Sequence, residues 1–265
     1  MKLSIITINR NNAEGLRKTI ESVVSQTFTD FEYIIIDGAS TDGSVDVINE
    51  YADRITYWVS EPDKGIYNAM NKGSLKASGE YLFFLNSGDW LCTSSTLAIV
   101  VTNFDSKIDV FSGYAIELNE NHSKKLPPKE FTLRHLYEMN IPHQSEFIRK
   151  VFFFQMNCYN EEYSILADYD FNIRSMLSNA IYKYSKIPIS YVDCDGVSNA
   201  VENTSIMRSE KKEIFEKNVP YCIRIDYEYF FKKINNFHPS IYWLMNNYWL
   251  YRILKSFYRK IIHNR

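Results

Sequence analysis

The chemistry of this sequence gathers at Asp89. It closes the stretch Tyr81-Leu82-Phe83-Phe84-Leu85-Asn86-Ser87-Gly88-Asp89. Five apolar or aromatic residues read as a buried strand, and Asn-Ser-Gly reads as the turn that ends it. A carboxylate at the carboxyl end of a central parallel strand lies where open α/β sheets hold ligands. Aspartate also caps helices, and Thr93-Ser94-Ser95 with an apolar run follows, so site and cap both stand at this point. Three further apolar runs end in polar residues, at Asn9, Asp37 and Glu61.

Positioning these residues requires a particular order of elements. Leu3–Ile8, Phe31–Ile36 and Ile55–Val59 read as strands, uncharged except at Glu32. Between them, Leu16–Gln26 carries Leu16, Ile20, Val23 and Val24 at helical spacing, and Ser44 is placed to cap a helix over Val45–Tyr51. The loop Ser60-Glu61-Pro62-Asp63-Lys64-Gly65 leads into a helix Ile66–Ala77, closed by Gly79. The first ninety residues thus alternate β-α-β-α-β-α-β. That predicts a mostly parallel, Rossmann-like sheet with helices on both faces and all four polar clusters on one edge.

After Asp89 the alternation stops. A helix is expected at Thr96–Asn103, a strand at Val110–Tyr114 and a loop over Glu117–Lys129, which contains Pro127-Pro128. Phe131–Met139 reads as helical, Glu146–Phe154 as one apolar stretch and Asp168–Leu177 as amphipathic. Tyr182–Tyr184 and Ile187–Val192 read as strands, and helix follows from Ser205. The predicted organisation is a first half over 1-115, a second half of the same domain over 116-219, and a basic aromatic helical tail over 220-265.

The 265 residues are 45 % hydrophobic and 23 % charged, ordinary for a globular protein. The net charge of −2 gives no support to a nucleic-acid partner. The charge is uneven, however. From Pro220 to Arg265, eight Lys/Arg oppose two acids, leaving +6 there and −8 before it. Ser240–Ile262 also interleaves Trp243, Trp249 and Tyr251 with Arg252, Lys255 and Arg259. This fits a helix lying on an anionic leaflet, or one packed on its own domain or on a second subunit as a homodimer. Cys92, Cys158, Cys194 and Cys222 lie far apart without a CxxC, as expected of reduced cytoplasmic thiols rather than a zinc site or disulfide framework. The apolar run near Met1 is short for a signal peptide, and no run reaches eighteen apolar residues. The expected location is cytoplasmic, with peripheral attachment to the inner face of the plasma membrane if the tail binds lipid.

Several blocks, in order, resemble the inverting family-two glycosyltransferases of the GT-A fold, in their bacterial surface-polysaccharide subset. They are Leu3-Ser4-Ile5-Ile6-Thr7 with Asn9, Ser25-Gln26-Thr27-Phe28-Thr29-Asp30-Phe31-Glu32, and Ile36-Asp37-Gly38-Ala39-Ser40-Thr41-Asp42-Gly43-Ser44. Gly65 with Ala69-Met70-Asn71-Lys72-Gly73 and Leu85-Asn86-Ser87-Gly88-Asp89 complete the set. A fainter match is Ala167-Asp168-Tyr169-Asp170-Phe171-Asn172-Ile173-Arg174. The resemblance covers roughly residues 1–115 and does not extend past Val219.

The resemblance implies that 1-115 is the nucleotide-sugar-binding half and 116-219 the acceptor-binding half of one domain, and it implies roles for single residues. Thr7, Asn9, Asp37, Lys64, Asn71, Asn86 and Ser87 would bind the nucleotide-sugar. Asp89 would hold Mg2+ or Mn2+ against the donor diphosphate. Asp168 would be the general base that takes the acceptor's proton, with Asp170 as the alternative. His143, Gln144 and Asp170 would line the acceptor pocket, although a lone histidine is more often a satisfied structural residue. Lys64 stands either as a phosphate ligand near a helix N-terminus or as a solvated loop residue, and Asn71 either as a donor contact or as a bond to loop backbone. The acids of the family pattern are missing at Gly38, Gly88 and Ala167, and Met70 stands where an arginine is common.

The expected function is transfer of a hexose or N-acetylhexosamine from a nucleotide-sugar, a UDP-sugar foremost, to a saccharide or lipid-linked saccharide, with inversion. The missing acids keep a second reading, a catalytically degenerate subunit supporting a partner enzyme. A nucleotidyltransferase is disfavoured because Asn9-Arg10-Asn11-Asn12 is no triphosphate loop. The donor sugar, the acceptor and the linkage are not legible in the sequence.

Overall fold

The computed structural model describes residues 3–118, 124–125, 132–138, 140–193 and 203–235. It divides into two units, Met1–Phe215 and Glu216–Arg265. The tail stretch Ser240–Ile262 and most of the Glu117–Lys129 loop lie outside the described residues.

The first unit begins with β1 (Leu3–Asn9), every residue of which is buried. Helix α1 (Ala13–Val24) follows, capped by Asn12, whose side-chain oxygen accepts the Gly15 N–H at 3.1 Å. Its apolar stripe Leu16, Ile20 and Val23 packs with Leu3, Ile5, Tyr33, Ile35 and Phe83. β2 (Phe31–Asp37) and α2 (Ser44–Glu50) come next. Ser44 is not the cap its position suggests. It begins α2 itself, Gly43 precedes it at φ +95°, and the Asp42 carboxylate accepts both the Ser44 N–H and its hydroxyl. β3 is Tyr57–Ser60 and α3 is Ile66–Lys76. α3 lies on the other face of the sheet, where any side chain at Gly73 would collide with Ile6. Period-two alternation thus sends Ile5 to α1 and Ile6 to α3, so helices cover both faces.

β4 (Tyr81–Phe84) is fully buried and pairs in parallel with β1. β5 (Trp90–Leu91), α4 (Thr96–Val101), β6 (Val110–Glu117), β7 (Lys124–Lys125) and α5 (Leu133–Glu138) follow. The apolar stretch from Glu146 to Phe154 is two elements, β8 (Glu146–Arg149) and α6 (Lys150–Gln155). α7 is Ala167–Leu177. The two strands expected near residues 182–192 are one, β9 (Tyr182–Val192), whose pairing with β6 is broken by a bulge around Tyr114. Pro188 inside β9 is accommodated by that irregularity. α8 is Thr204–Asn218, and the second unit contains α9 (Tyr221–Asn235).

The sheet order is β3-β2-β1-β4-β8-β6-β9-β5, with β7 beside β6. β3, β2, β1 and β4 are parallel, and β8 is antiparallel to both β4 and β6. The junction of β4 and β8 is sealed by Phe83 stacked on Phe147, with ring centroids 4.4 Å apart. Both rings are wholly buried, and each such side chain contributes on the order of 2–3 kcal/mol by transfer from water.

Candidate functional site

Parallel pairing brings the carboxyl ends of four strands to one edge. Asn9 is in register with Asp37, and Asp37 with Ser60. Asn86 and Ser87 emerge from β4 beside β1, where the Ser87 N–H donates to the Ile8 carbonyl at 3.0 Å. Strand order reverses direction about β1, which makes this the crevice of the sheet. Two further segments reach the same edge for topological reasons. β8 runs antiparallel to β4, so the turn His143–Ser145 that precedes it stands over the end of β4. β9 runs parallel to β6, and its last residues pair with β5, just after Asp89.

At this edge the turn joins two carboxylates. Gln144 donates its side-chain N–H to Asp89 Oδ2 at 3.0 Å, and the Asp193 backbone N–H donates to Asp89 Oδ1 at 3.1 Å. His143 lies between Asn86 and Asp168: Asn86 Nδ2 to His143 Nε2 is 3.1 Å, and His143 Nδ1 to Asp168 Oδ2 is 3.3 Å. With the amide donating to Nε2, the imidazole carries its proton on Nδ1, and that N–H donates a hydrogen bond to Asp168 Oδ2. Tyr67 of α3 closes the chain. Its hydroxyl is 2.6 Å from the Ile165 carbonyl and 3.2 Å from Asp168 Oδ1. Asp168 lies in the first turn of α7, where the helix dipole favours a carboxylate. The structure thus brings together Asn86, Asp89, His143, Gln144 and Asp168.

Burial pushes the Asp89 carboxyl up to about 6, although the Gln144 hydrogen bond and His143 pull the other way. Among the described residues, no three His, Cys, Asp or Glu side chains converge as a metal-binding group. The atoms present are nevertheless of the right kind for a hard divalent cation. Asp89 offers a carboxylate, and the buried Asn86 Oδ1 has no hydrogen-bond partner. Both are oxygens, and phosphate oxygens and water complete such sites.

Asp37 is an internal anchor. It is fully buried and accepts four hydrogen bonds, from Asn9 Nδ2 (2.7 Å), Ser40 Oγ (2.6 Å), Ser40 N (2.9 Å) and Ser60 Oγ (2.6 Å). Burial alone would raise its pKa, but these bonds outweigh it and hold the carboxyl below its usual value. Ser87 is half-buried, and its carbonyl accepts from Asn12 Nδ2 at 3.3 Å. Lys64 is exposed just before α3.

Other expected site residues have partners elsewhere. The Thr7 hydroxyl is buried between Tyr33 and the Leu85 carbonyl. Asn71 clasps the Tyr159 backbone in both directions, at 2.9 and 3.2 Å, and also donates to Glu161. That is the loop-backbone arrangement left open for it above. Asp170 faces Arg174, one turn along α7, at 2.7 Å. Arg174 in turn donates to the Met156 and Cys158 carbonyls.

Sequence reasoning missed Tyr67, Asp193 and Asp63. Tyr67 sits in an apolar helix stripe and looks like core, Asp193 follows a strand whose pairing is non-local, and Asp63 looks like a loop residue. A side chain at Gly38 would run into the Asp63 carboxylate, the only signal of which is the glycine itself.

Comparison with known proteins bears on this edge. Residues 4–167 match the family model described as glycosyl transferase family 2. A PGL/p-HBAD biosynthesis glycosyltransferase of Mycobacterium bovis is 33% identical over 213 residues, covering 77% of this chain and 82% of that protein. An uncharacterized glycosyltransferase of Mycobacterium tuberculosis is 32% identical over 180 residues, covering 66% of this chain and 69% of the other. Among solved structures, S. aureus TarS 1-349 in complex with UDP superposes with TM-score 0.61 at 21% identity, over 73% of this chain and 60% of that one. A mannosyltransferase from Pyrobaculum calidifontis, in complex with GDP-Man and Mn2+, gives TM-score 0.58 at 15% identity, over 72% and 56%. The chain therefore spans less than two thirds of these solved structures, and the likeness to them is one of fold, the GT-A fold.

Proposed function

This chain belongs to glycosyl transferase family 2 and is a glycosyltransferase, and from that premise we propose a metal-assisted, inverting transfer from a UDP-sugar to a saccharide or lipid-linked saccharide. The observation that carries the reading is the buried polar chain Asn86–His143–Asp168 with Gln144–Asp89 beside it. It gives two carboxylates different surroundings at one crevice, as a reaction with a departing diphosphate and an attacking hydroxyl requires.

Asp89 would hold Mg2+ or Mn2+, with the Asn86 side-chain oxygen and the neighbouring Asp193 as further oxygen donors. When bound, such an ion neutralises charge on a leaving diphosphate. Asp168 accepts the proton of the acceptor hydroxyl as that oxygen attacks the anomeric carbon. His143 holds one of its oxygens, and the Tyr169 N–H at 2.7 Å, with the Tyr67 hydroxyl at 3.2 Å, holds the other, which fixes the carboxylate plane. Burial, with Asp168 beside it, keeps the Tyr67 hydroxyl protonated and therefore a donor. Lys64, exposed before α3, is free of the sheet and suits a phosphate contact.

The tail is assigned to an anionic membrane surface. Its +6 charge and the exposed Tyr221, Ile225, Tyr229 and Phe230 of α9 support peripheral attachment. No helix among the described residues is long and apolar enough to cross a membrane. The cytoplasmic face is the side on which nucleotide-sugars would reach such a surface.

Thermal shift over a panel of nucleotide-sugars with Mn2+, followed by hydrolysis of the best binder, tests the reading. A melting shift confined to uridine nucleotides and dependent on Mn2+ is expected. No shift with any nucleotide-sugar, or hydrolysis unaffected by Asp89→Ala, would overturn it.

A further inference from the structure

We infer that Asp63, and not Asp37, is the carboxylate that meets the nucleoside of the donor; this rests on the donor reading above. Asp37 has no capacity left. A carboxylate offers about four lone-pair directions, and Asn9, Ser40 twice and Ser60 fill four. It is also wholly buried. The next residue, Gly38, has no side chain, and the space where one would project is occupied by Asp63. The Asp63 Cγ lies 3.3 Å from the position a Cβ of residue 38 would take, and Arg10 Cδ lies 3.4 Å from it.

The loop holds this carboxylate in place from its own side. Asp63 Oδ1 accepts the Gly65 N–H at 2.9 Å, an Asx turn just ahead of α3. Oδ2 is the oxygen turned toward Gly38. Asp63 is partly exposed, beside the carboxyl ends of β2 and β3. An acid is thus presented at position 38 from a loop twenty-five residues away. The pyrimidine imide N–H and the ribose hydroxyls are the donors a nucleoside offers to such an oxygen. Phosphates offer none, so the contact distinguishes nucleoside from diphosphate.

Calorimetry on the full chain, with Mn2+, tests this using UDP and inorganic pyrophosphate. Asp63→Asn keeps the turn and removes the charge. It should weaken UDP ~10-fold or more, the loss of one charge-assisted hydrogen bond, and leave pyrophosphate unchanged. Gly38→Asp alone forces two carboxylates into one space and should abolish UDP binding. Gly38→Asp combined with Asp63→Ser moves the acid back to the strand end and should recover it. UDP affinity unchanged by Asp63→Asn, in a chain whose wild type binds UDP, overturns this inference and leaves the donor reading standing. Failure of the wild type to bind UDP at all sinks both.

Discussion

Replacing Asp89 by asparagine should make the metal-free protein more stable at neutral pH while abolishing its metal response. Asp89 is 6% exposed, and its carboxyl is raised from the usual 3.8 to about 6, chiefly by burial. An acid whose folded pKa lies above its unfolded one is destabilising when ionised, because the unfolded chain holds the charge more easily. That cost is absent below the unfolded value, accrues as pH rises from about 4 to about 6, and is complete at pH 7. From 3.8 to about 6, it amounts to roughly 3 kcal/mol. Asparagine is neutral and nearly isosteric, but its NH2 must face either Gln144 Nε2 or the Asp193 N–H, both of them donors. The unmade bond returns about 1 kcal/mol. A net gain of about 2 kcal/mol at pH 7.5 is expected, falling below about 1 kcal/mol at pH 5 and turning into a small net loss by pH 4, where most of the charge cost has gone and the unmade bond remains. Urea unfolding followed by circular dichroism at these three pH values reads it directly. Saturating Mn2+ should stabilise the wild type and leave the variant unmoved. A variant less stable than wild type by one margin at every pH would refute the reasoning, because Asp89 would then be an ordinary structural acceptor.

Asp168→Asn should lower transfer by roughly 10²-fold or more with UDP affinity unchanged in calorimetry; transfer at the wild-type rate would place the base elsewhere. Asp37→Ala leaves Asn9, Ser40 and Ser60 without their acceptor and should cost roughly 3 kcal/mol in urea unfolding. Because the folded Asp37 carboxyl lies below its usual value, its contribution is whole at neutral pH and is lost as pH falls through that lowered value. Gly73→Ala should cost about 1–3 kcal/mol by forcing α3 off Ile6. A chain ending near Val219 should lose the salt-sensitive co-sedimentation with anionic liposomes expected of the full chain; if neither sediments and truncation splits a dimer, the tail is a subunit interface.

The parallel half of the fold was legible because its code is local. Leu3–Ile8 and Phe31–Ile36 are apolar on both faces, and the polar residues that end them mark the crevice edge without reference to anything distant. Asp89 and Asn86 could be picked out on those terms, and Asp168 only through the resemblance of its block to the family. The contacts between them could not, because they arise from pairing across long stretches of chain. His143 and Gln144 stand over β4 only because β8 returns antiparallel through Phe83 and Phe147. Asp193 arrives only because β9 follows β6 across the sheet. Likewise nothing near Gly38 in the chain signals Asp63, and Thr7, although within a matching block, turns its hydroxyl to Tyr33 and Leu85.

The turn at His143–Ser145 works as a gauge block. Neighbouring residues on one rigid backbone bond to one acid each, His143 to Asp168 and Gln144 to Asp89. The spacing between the proposed base and the proposed metal-holding acid is therefore set by a single peptide unit, not by the sum of two loops. A chimera that exchanges the acceptor half with a relative will keep that spacing only if residues 142–149 travel as one piece with the strand they precede. Cut inside that piece, both acids can be retained in the sequence while the distance between them is lost.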